Sequence, residues 1–227
     1  MRHTRFTIIA FLGLLMPVFG VYAQSGDTPP LKVYIFAGQS NMGGGINFKH
    51  KHPDNAAYQW MHSEQNDVRY FWYRGRSETD TWERLTDETH RAGHWEQVTA
   101  YYLWQYWKAK DPRQQIAVIT VTVGATAMND FCTAGGRASR EGLHDWVKTR
   151  EQGKGNREMQ RIIGKALGQL KERGIAYEVE AFIWYQGEGD SFMELYSNNY
   201  ARYLEDMIAG WEERDPGKYK DERSRYA

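Results

Sequence analysis

The sequence predicts an α/β fold with a mainly parallel sheet, and three observations carry that expectation. Val33–Ala37, within the strand Leu31–Ala37, is a continuous apolar run of strand length, and Gln115–Val123 is largely apolar, the pattern of strands buried on both faces. Tyr177–Trp184 reads as a third strand, apolar toward its end, and like the first it stops at a polar turn spaced by glycines. Segments of helical spacing lie between these runs, and strands that alternate with helices imply right-handed crossovers and a parallel sheet.

The elements follow in order. Residues 1–23 read as a signal peptide: Arg2, His3 and Arg5 form a basic start, Phe6–Gly20 is apolar, and Val21-Tyr22-Ala23 offers a cleavage signal before Gln24. The apolar stretch is short for a membrane span, which needs about 20 residues. The mature chain is therefore expected to be secreted or periplasmic and free of the membrane. Residues 24–30 form a polar linker into the strand Leu31–Ala37, and residues 31–227 are expected to form one domain. Residues 43–95 are polar and rich in aromatics, with a strand expected at Val68–Tyr73. Val98, Tyr101, Tyr102 and Gln105 recur at intervals of three and four and mark a helix over Glu96–Lys110, which Asp111-Pro112 ends. After the strand Gln115–Val123, residues 132–156 read as a glycine- and charge-rich loop. Met159, Ile162, Ile163, Ala166, Leu167 and Leu170 then define an amphipathic helix closing near Gly174. The strand Tyr177–Trp184 and a helix over Met193–Glu213 complete the pattern.

Composition narrows the function. Loss of Arg2 and Arg5 with the leader leaves 27 basic against 29 acidic residues, a net charge of −2. Such a balance offers no basic stripe for phosphates, which argues against nucleic acid as a partner. Cys132 is the sole cysteine, so no disulfide within the chain can form and stability must come from the core. His50 and His52 have the spacing of one strand face, but no third ligand accompanies them, and no metal or other cofactor is expected.

The chemistry concentrates in two strand-ending segments, Ala37-Gly38-Gln39-Ser40-Asn41-Met42 and Trp184-Tyr185-Gln186-Gly187-Glu188-Gly189-Asp190. In open α/β sheets ligands bind at the carboxyl ends of the strands, so a serine placed there can meet substrate from a rigid support. Gly, Ser and Asn also favour turns for purely local reasons. The pair of motifs resembles the sialate O-acetylesterase and acetylxylan esterase branch of the SGNH-type serine hydrolases, over roughly residues 30–215. The resemblance implies a flavodoxin-like three-layer sandwich and a carbohydrate O-acetylesterase acting on acetylated sialic acid or plant polysaccharide. Relative to that family the domain reads as C-terminally truncated, with its last strand and helix missing.

By the same resemblance Ser40 is the nucleophile, and the oxyanion donors are the Ser40 backbone N–H, Gly124 and the Gln186 amide. An ester hydrolase needs this combination together with a base. Read without the resemblance, Gly124 is equally an ordinary strand-ending glycine, and Gln186 a group that satisfies loop backbone. The family's Gly-Gly-Thr is Gly124-Ala125-Thr126 here. Glu188 is expected to organise the site from behind rather than to join Asp190 in acid–base work on a glycosidic bond. Gln39, Asn41 and Asp190 are expected to face the substrate. The family's base, a histidine in a C-terminal Asp-x-x-His, has no counterpart: no histidine follows His144. The chain is accordingly expected to hydrolyse acetyl esters poorly, and a non-catalytic carbohydrate-binding relic of the same fold is the alternative. Trp60, Trp72, Tyr73, Trp82 and Trp95 could stack on sugar rings or simply pack the domain, whereas Trp104 and Trp107 are expected to pack.

Overall fold

The computed structural model describes residues 28–42, 54–75, 77–86, 95–124, 128, 154–192, 197, 198, 200, 201, 204 and 207. The leader, His50, His52, His90, His94, Cys132 and His144 lie outside them. The strands are β1 (Leu31–Gly38), β2 (Arg69–Arg74), β3 (Glu83–Arg84), β4 (Ile116–Thr122) and β5 (Tyr177–Tyr185). The helices are α1 (Ala56–Met61), α2 (Trp95–Lys110) and α3 (Lys154–Glu172), and a 3-10 turn covers Asp190–Phe192. Of the helix expected over Met193–Glu213, residues 197, 198, 200, 201, 204 and 207 are described and all are helical.

Among the described residues the sheet has the order β3-β2-β4-β1-β5. Every pairing is parallel except the short one between β2 and β3. The mixed α/β architecture with a mostly parallel sheet is therefore as the sequence predicts. β1 lies between two parallel neighbours: Gly38 at its carboxyl end is level with Thr122 of β4 on one side and Tyr185 of β5 on the other. The residues that follow β1, β4 and β5 consequently leave the sheet side by side.

Alternation along the strands divides the core into two layers. Val33, Ile35 and Ala37, with Ala117, Ile119 and Val121, pack against the apolar stripe of α3 at Met159, Ile162, Ala166 and Leu170. Tyr34, Phe36, Tyr70 and Val118 face the other way, where Trp60 and Met61 of α1 and Ala100 of α2 cover them. The three layers are thus α3, the sheet, and the α1–α2 pair.

Two local expectations change. α1 has too few residues to show a period; it is fixed by a cap, the Asn55 carboxamide oxygen accepting from the backbone of Ala57 at 2.9 Å and Tyr58 at 3.4 Å. In α2 the deepest residues are Glu96, Gln97 and Ala100, while Tyr102 and Gln105, expected on the inner face, are exposed. An aromatic residue at nearly every turn of this helix masks its true inner face. Trp104 and Trp107 do pack, as expected, their indole N–H groups donating to Asp67 at 2.8 Å and to the Tyr34 hydroxyl at 2.7 Å. No described helix is long and apolar enough to cross a membrane.

Candidate active site

Ser40 sits in the turn that leaves β1, two residues beyond Gly38, and its side chain is exposed. The turn is closed by the Met42 N–H donating to the Gln39 carbonyl at 3.0 Å. It is tied to the neighbouring strands by Gln39 N–H to the Tyr185 carbonyl at 3.2 Å and Val123 N–H to the Gly38 carbonyl at 3.0 Å. Gly38 has φ 155°, and a Cβ there would fall on the Tyr185 carbonyl group. Glycine is required at this position because the backbones of β1 and β5 approach too closely for a side chain.

Gly124 follows β4 in the adjacent turn. A Cβ placed on it would lie 3.9 Å from the Ser40 Cβ, so the two turns are neighbours with room between them. The loop after β5 reaches the same place: the Asn41 carboxamide donates to Glu188 Oε1. The structure therefore brings Ser40, Gly124 and the Gln186–Glu188 segment to one edge of the sheet. Glu188 is half-buried and grips the Ser40 turn through Asn41, a supporting position.

The remaining residues separate by burial. Asn41 is exposed, with its amide directed to Glu188, and Gln39 is buried beneath the turn. Asp190 has a different setting from the substrate contact expected of it. It is 1% exposed, accepts from Met128 N–H at 3.0 and 3.1 Å through its two oxygens, and accepts from Gln186 Nε2 at 2.9 Å. The carboxylate thus joins the chain beyond β4 to the loop beyond β5 and holds the plane of the Gln186 amide. A carboxylate among backbone donors in a desolvated site is suited to positioning.

Sequence reasoning missed Tyr200. Its hydroxyl donates to the Gln186 carbonyl at 2.7 Å and accepts from Trp184 Nε1 at 3.0 Å. Its ring would contact a Cβ on Gly187 at 3.4 Å, and Gly187 has φ 135°. A tyrosine far along a helix gives no one-dimensional sign that it braces a loop 14 positions earlier. Glu96 was also missed: it is fully buried in the first turn of α2 and accepts from the Tyr70 hydroxyl at 3.1 Å.

Burial dominates the protonation of both acids. Desolvation pushes Asp190 up to about 6, against the pull of its Gln186 and Met128 donors, and pushes Glu96 up to about 7. An acid whose pKa is raised by folding gives its full stability below the unfolded value near 4 and loses it as pH rises through the folded value. Stability should therefore decline between about pH 4 and 7, Asp190 accounting for about 3 kcal/mol of the change. Asp190→Asn should flatten the lower part of that decline, and Glu96→Gln the upper part, in urea titrations run across this range. An unchanged slope in both variants would contradict the assignment.

Asn66 and Thr79 serve local turns. Asn66 accepts from Val68 N–H at 3.2 Å, and Thr79 donates to Thr81 at 2.6 Å. No group of three potential metal ligands occurs among the described residues.

An exposed serine at the carboxyl end of a flanked parallel strand, with a glycine turn and an anchored amide beside it, occupies the edge of the sheet at which open α/β folds bind ligands. The chain belongs to the carbohydrate esterase family described as sialic acid-specific acetylesterase, whose model matches residues 30–214. Esterase function at this coarse level follows from that membership. Among solved structures, an Arabidopsis thaliana protein is similar at 16% identity and TM-score 0.49, with 80% of this chain and 68% of that one covered. A carbohydrate acetylesterase from Xanthomonas citri is similar at 18% identity and TM-score 0.46, with 82% of this chain but only 38% of that one covered. No curated protein matches the chain.

Proposed function

We propose that this protein is an exported serine esterase that removes O-acetyl groups from carbohydrates, with Ser40 as nucleophile. The observation that carries the reading is the position of Ser40, exposed in a turn clamped to β4 and β5 and 3.9 Å from the Cβ position of Gly124. In this reading Ser40 Oγ, exposed to solvent, attacks the acetyl carbonyl and gives its proton to water. The backbone N–H groups of Ser40 and Gly124 and the Gln186 amide receive the oxyanion. Collapse of the tetrahedral intermediate expels the sugar alkoxide, which takes up a proton. Water then attacks the acetyl-serine and releases acetate. Asp190 and Tyr200 fix Gln186 from its two ends, and Glu188 fixes the serine turn through Asn41.

A second reading is favoured by one observation, that His62 is the one histidine among the described residues. The described His62 is exposed at the end of α1, its ring 4.7 Å from that of Tyr58. A carbohydrate-binding relic would keep the cleft without turnover. The test is release of acetate from an acetylated sugar by residues 24–227. Turnover that is slow compared with ordinary serine esterases but dependent on Ser40 supports the esterase. Sugar binding with no acetate release above that of buffer supports the relic.

A further inference from the structure

We propose that Trp95 and Tyr185 form a stacking platform for a pyranose ring of the acetylated substrate, an inference that rests on the carbohydrate reading above. Of the aromatics expected to meet sugar, Trp60 and Trp82 are committed to the core, and the Trp82 indole N–H donates to the Ala166 carbonyl at 3.0 Å. Trp72 and Tyr73 are built into β2 and partly buried. Trp95 is different: it is 52% exposed, and it lies beside Tyr185, which is 43% exposed. Their ring centroids are 6.5 Å apart and their planes are inclined by 47°, so neither ring covers the other's face.

The topology explains why this pair lies at the site. Side chains of β5 alternate, with Phe182 and Trp184 on the α3 side and Ala181 and Ile183 on the α2 side. Tyr185 continues the α2 side at the last position of the strand, immediately before Gln186. It is level with Gly38, and its carbonyl holds the N–H of Gln39. α2 runs back toward the start of β4, so its first residue, Trp95, stands at the carboxyl edge of the sheet. The exposed Tyr102 and Tyr106 lie farther along the helix, away from that edge. Burying exposed aromatic faces against the axial C–H face of a pyranose removes apolar surface from water on both partners. A ring held there would present its acetyl group beside Ser40.

The test is calorimetric titration of O-acetylated xylotetraose, and separately of 9-O-acetylated sialic acid, into the mature chain carrying Ser40→Ala, which prevents turnover. Adding Trp95→Ala or Tyr185→Ala should weaken the Kd roughly 3- to 10-fold, whereas Trp95→Phe should retain most of the affinity. Binding of the xylotetraose assigns the platform to a polysaccharide chain, and binding of the sialic acid alone assigns it to a terminal sugar. No binding of either sugar, or an unchanged Kd in both alanine variants, would overturn the proposal. Thermal unfolding of each variant separates lost stacking from lost folding, and a Trp95→Phe variant as weak as Trp95→Ala would also count against a stacking role. Hydrolysis of p-nitrophenyl acetate by the unsubstituted chain is read independently. Hydrolysis without sugar binding leaves the esterase reading standing and removes the platform; platform-dependent sugar binding without hydrolysis does the reverse.

Discussion

Gly38→Ala is expected to destabilise the protein by about 3 kcal/mol or more and to abolish any Ser40-dependent activity with it. The new methyl group would meet the Tyr185 carbonyl, whose carbon lies 2.7 Å from the Cβ position, on a backbone with φ 155°. The strands cannot easily part to admit it. Gly38 carries the acceptor for Val123 N–H at 3.0 Å, and the next residue donates to the same Tyr185 carbonyl at 3.2 Å. Relief by separation would break the hydrogen bonds that place the serine turn beside Gly124 and Gln186. Urea denaturation followed by circular dichroism measures the loss. Gly164→Ala and Gly168→Ala supply the contrast: both positions lie in α3 with nothing within 4 Å of an added Cβ. Those changes should stabilise the protein by about 0.5–1 kcal/mol each through helix propensity. Equal stability of Gly38→Ala and the parent chain would refute the close approach.

Ser40→Ala should remove the Ser40-dependent part of the parent chain's acetate release, leaving only the rate that oxyanion donors and binding support, with stability unchanged. The rate effect follows because the covalent route disappears, while oxyanion donors and binding leave only residual catalysis. Unchanged stability follows from exposure: the hydroxyl is in solvent, and the turn is closed by backbone hydrogen bonds. A fluorophosphonate should label the parent chain at Ser40, as read by peptide mass spectrometry. Labelling at another serine, or full activity in Ser40→Ala, would remove Ser40 from the nucleophile's role.

The strands and the main helices were legible in the sequence because β1 and β4 are buried almost throughout, β5 is apolar toward its end, and α3 buries one stripe. The charged residues of these strands, Lys32, Glu178 and Glu180, pair with one another across β1 and β5, and the α3 stripe repeats at helical spacing. Hydrophobic period reports burial directly, so these strands and α2 emerge within a residue of their observed limits, whereas α3 begins at Lys154, inside the loop expected over 132–156. α1 and β3 were not legible. A helix of six residues and a strand of two carry no period, and both are held by contacts made elsewhere. The inner face of α2 was hidden for the opposite reason, an excess of large aromatics that suit either a core or a surface.

The two strand-ending motifs, and with them the edge of the sheet where Ser40 and Gln186 belong, can be read along the chain alone. A glycine turn after a doubly buried strand leaves little other place for a polar side chain to emerge. Only the tertiary structure decided what each polar residue of those motifs touches. Asp190 and Glu188 are two positions apart and chemically alike, yet one is buried between Met128 and Gln186 while the other holds Asn41. Tyr200, Tyr185 and Trp95 acquire their places at the site because β5 lies beside β1 and α2 begins at the same edge. Those adjacencies depend on which strands pair, and pairing is fixed by packing between segments more than 100 residues apart, such as Gly38 and Tyr185. A pattern read along the chain registers which residues are buried; it holds no record of their partners across the sheet.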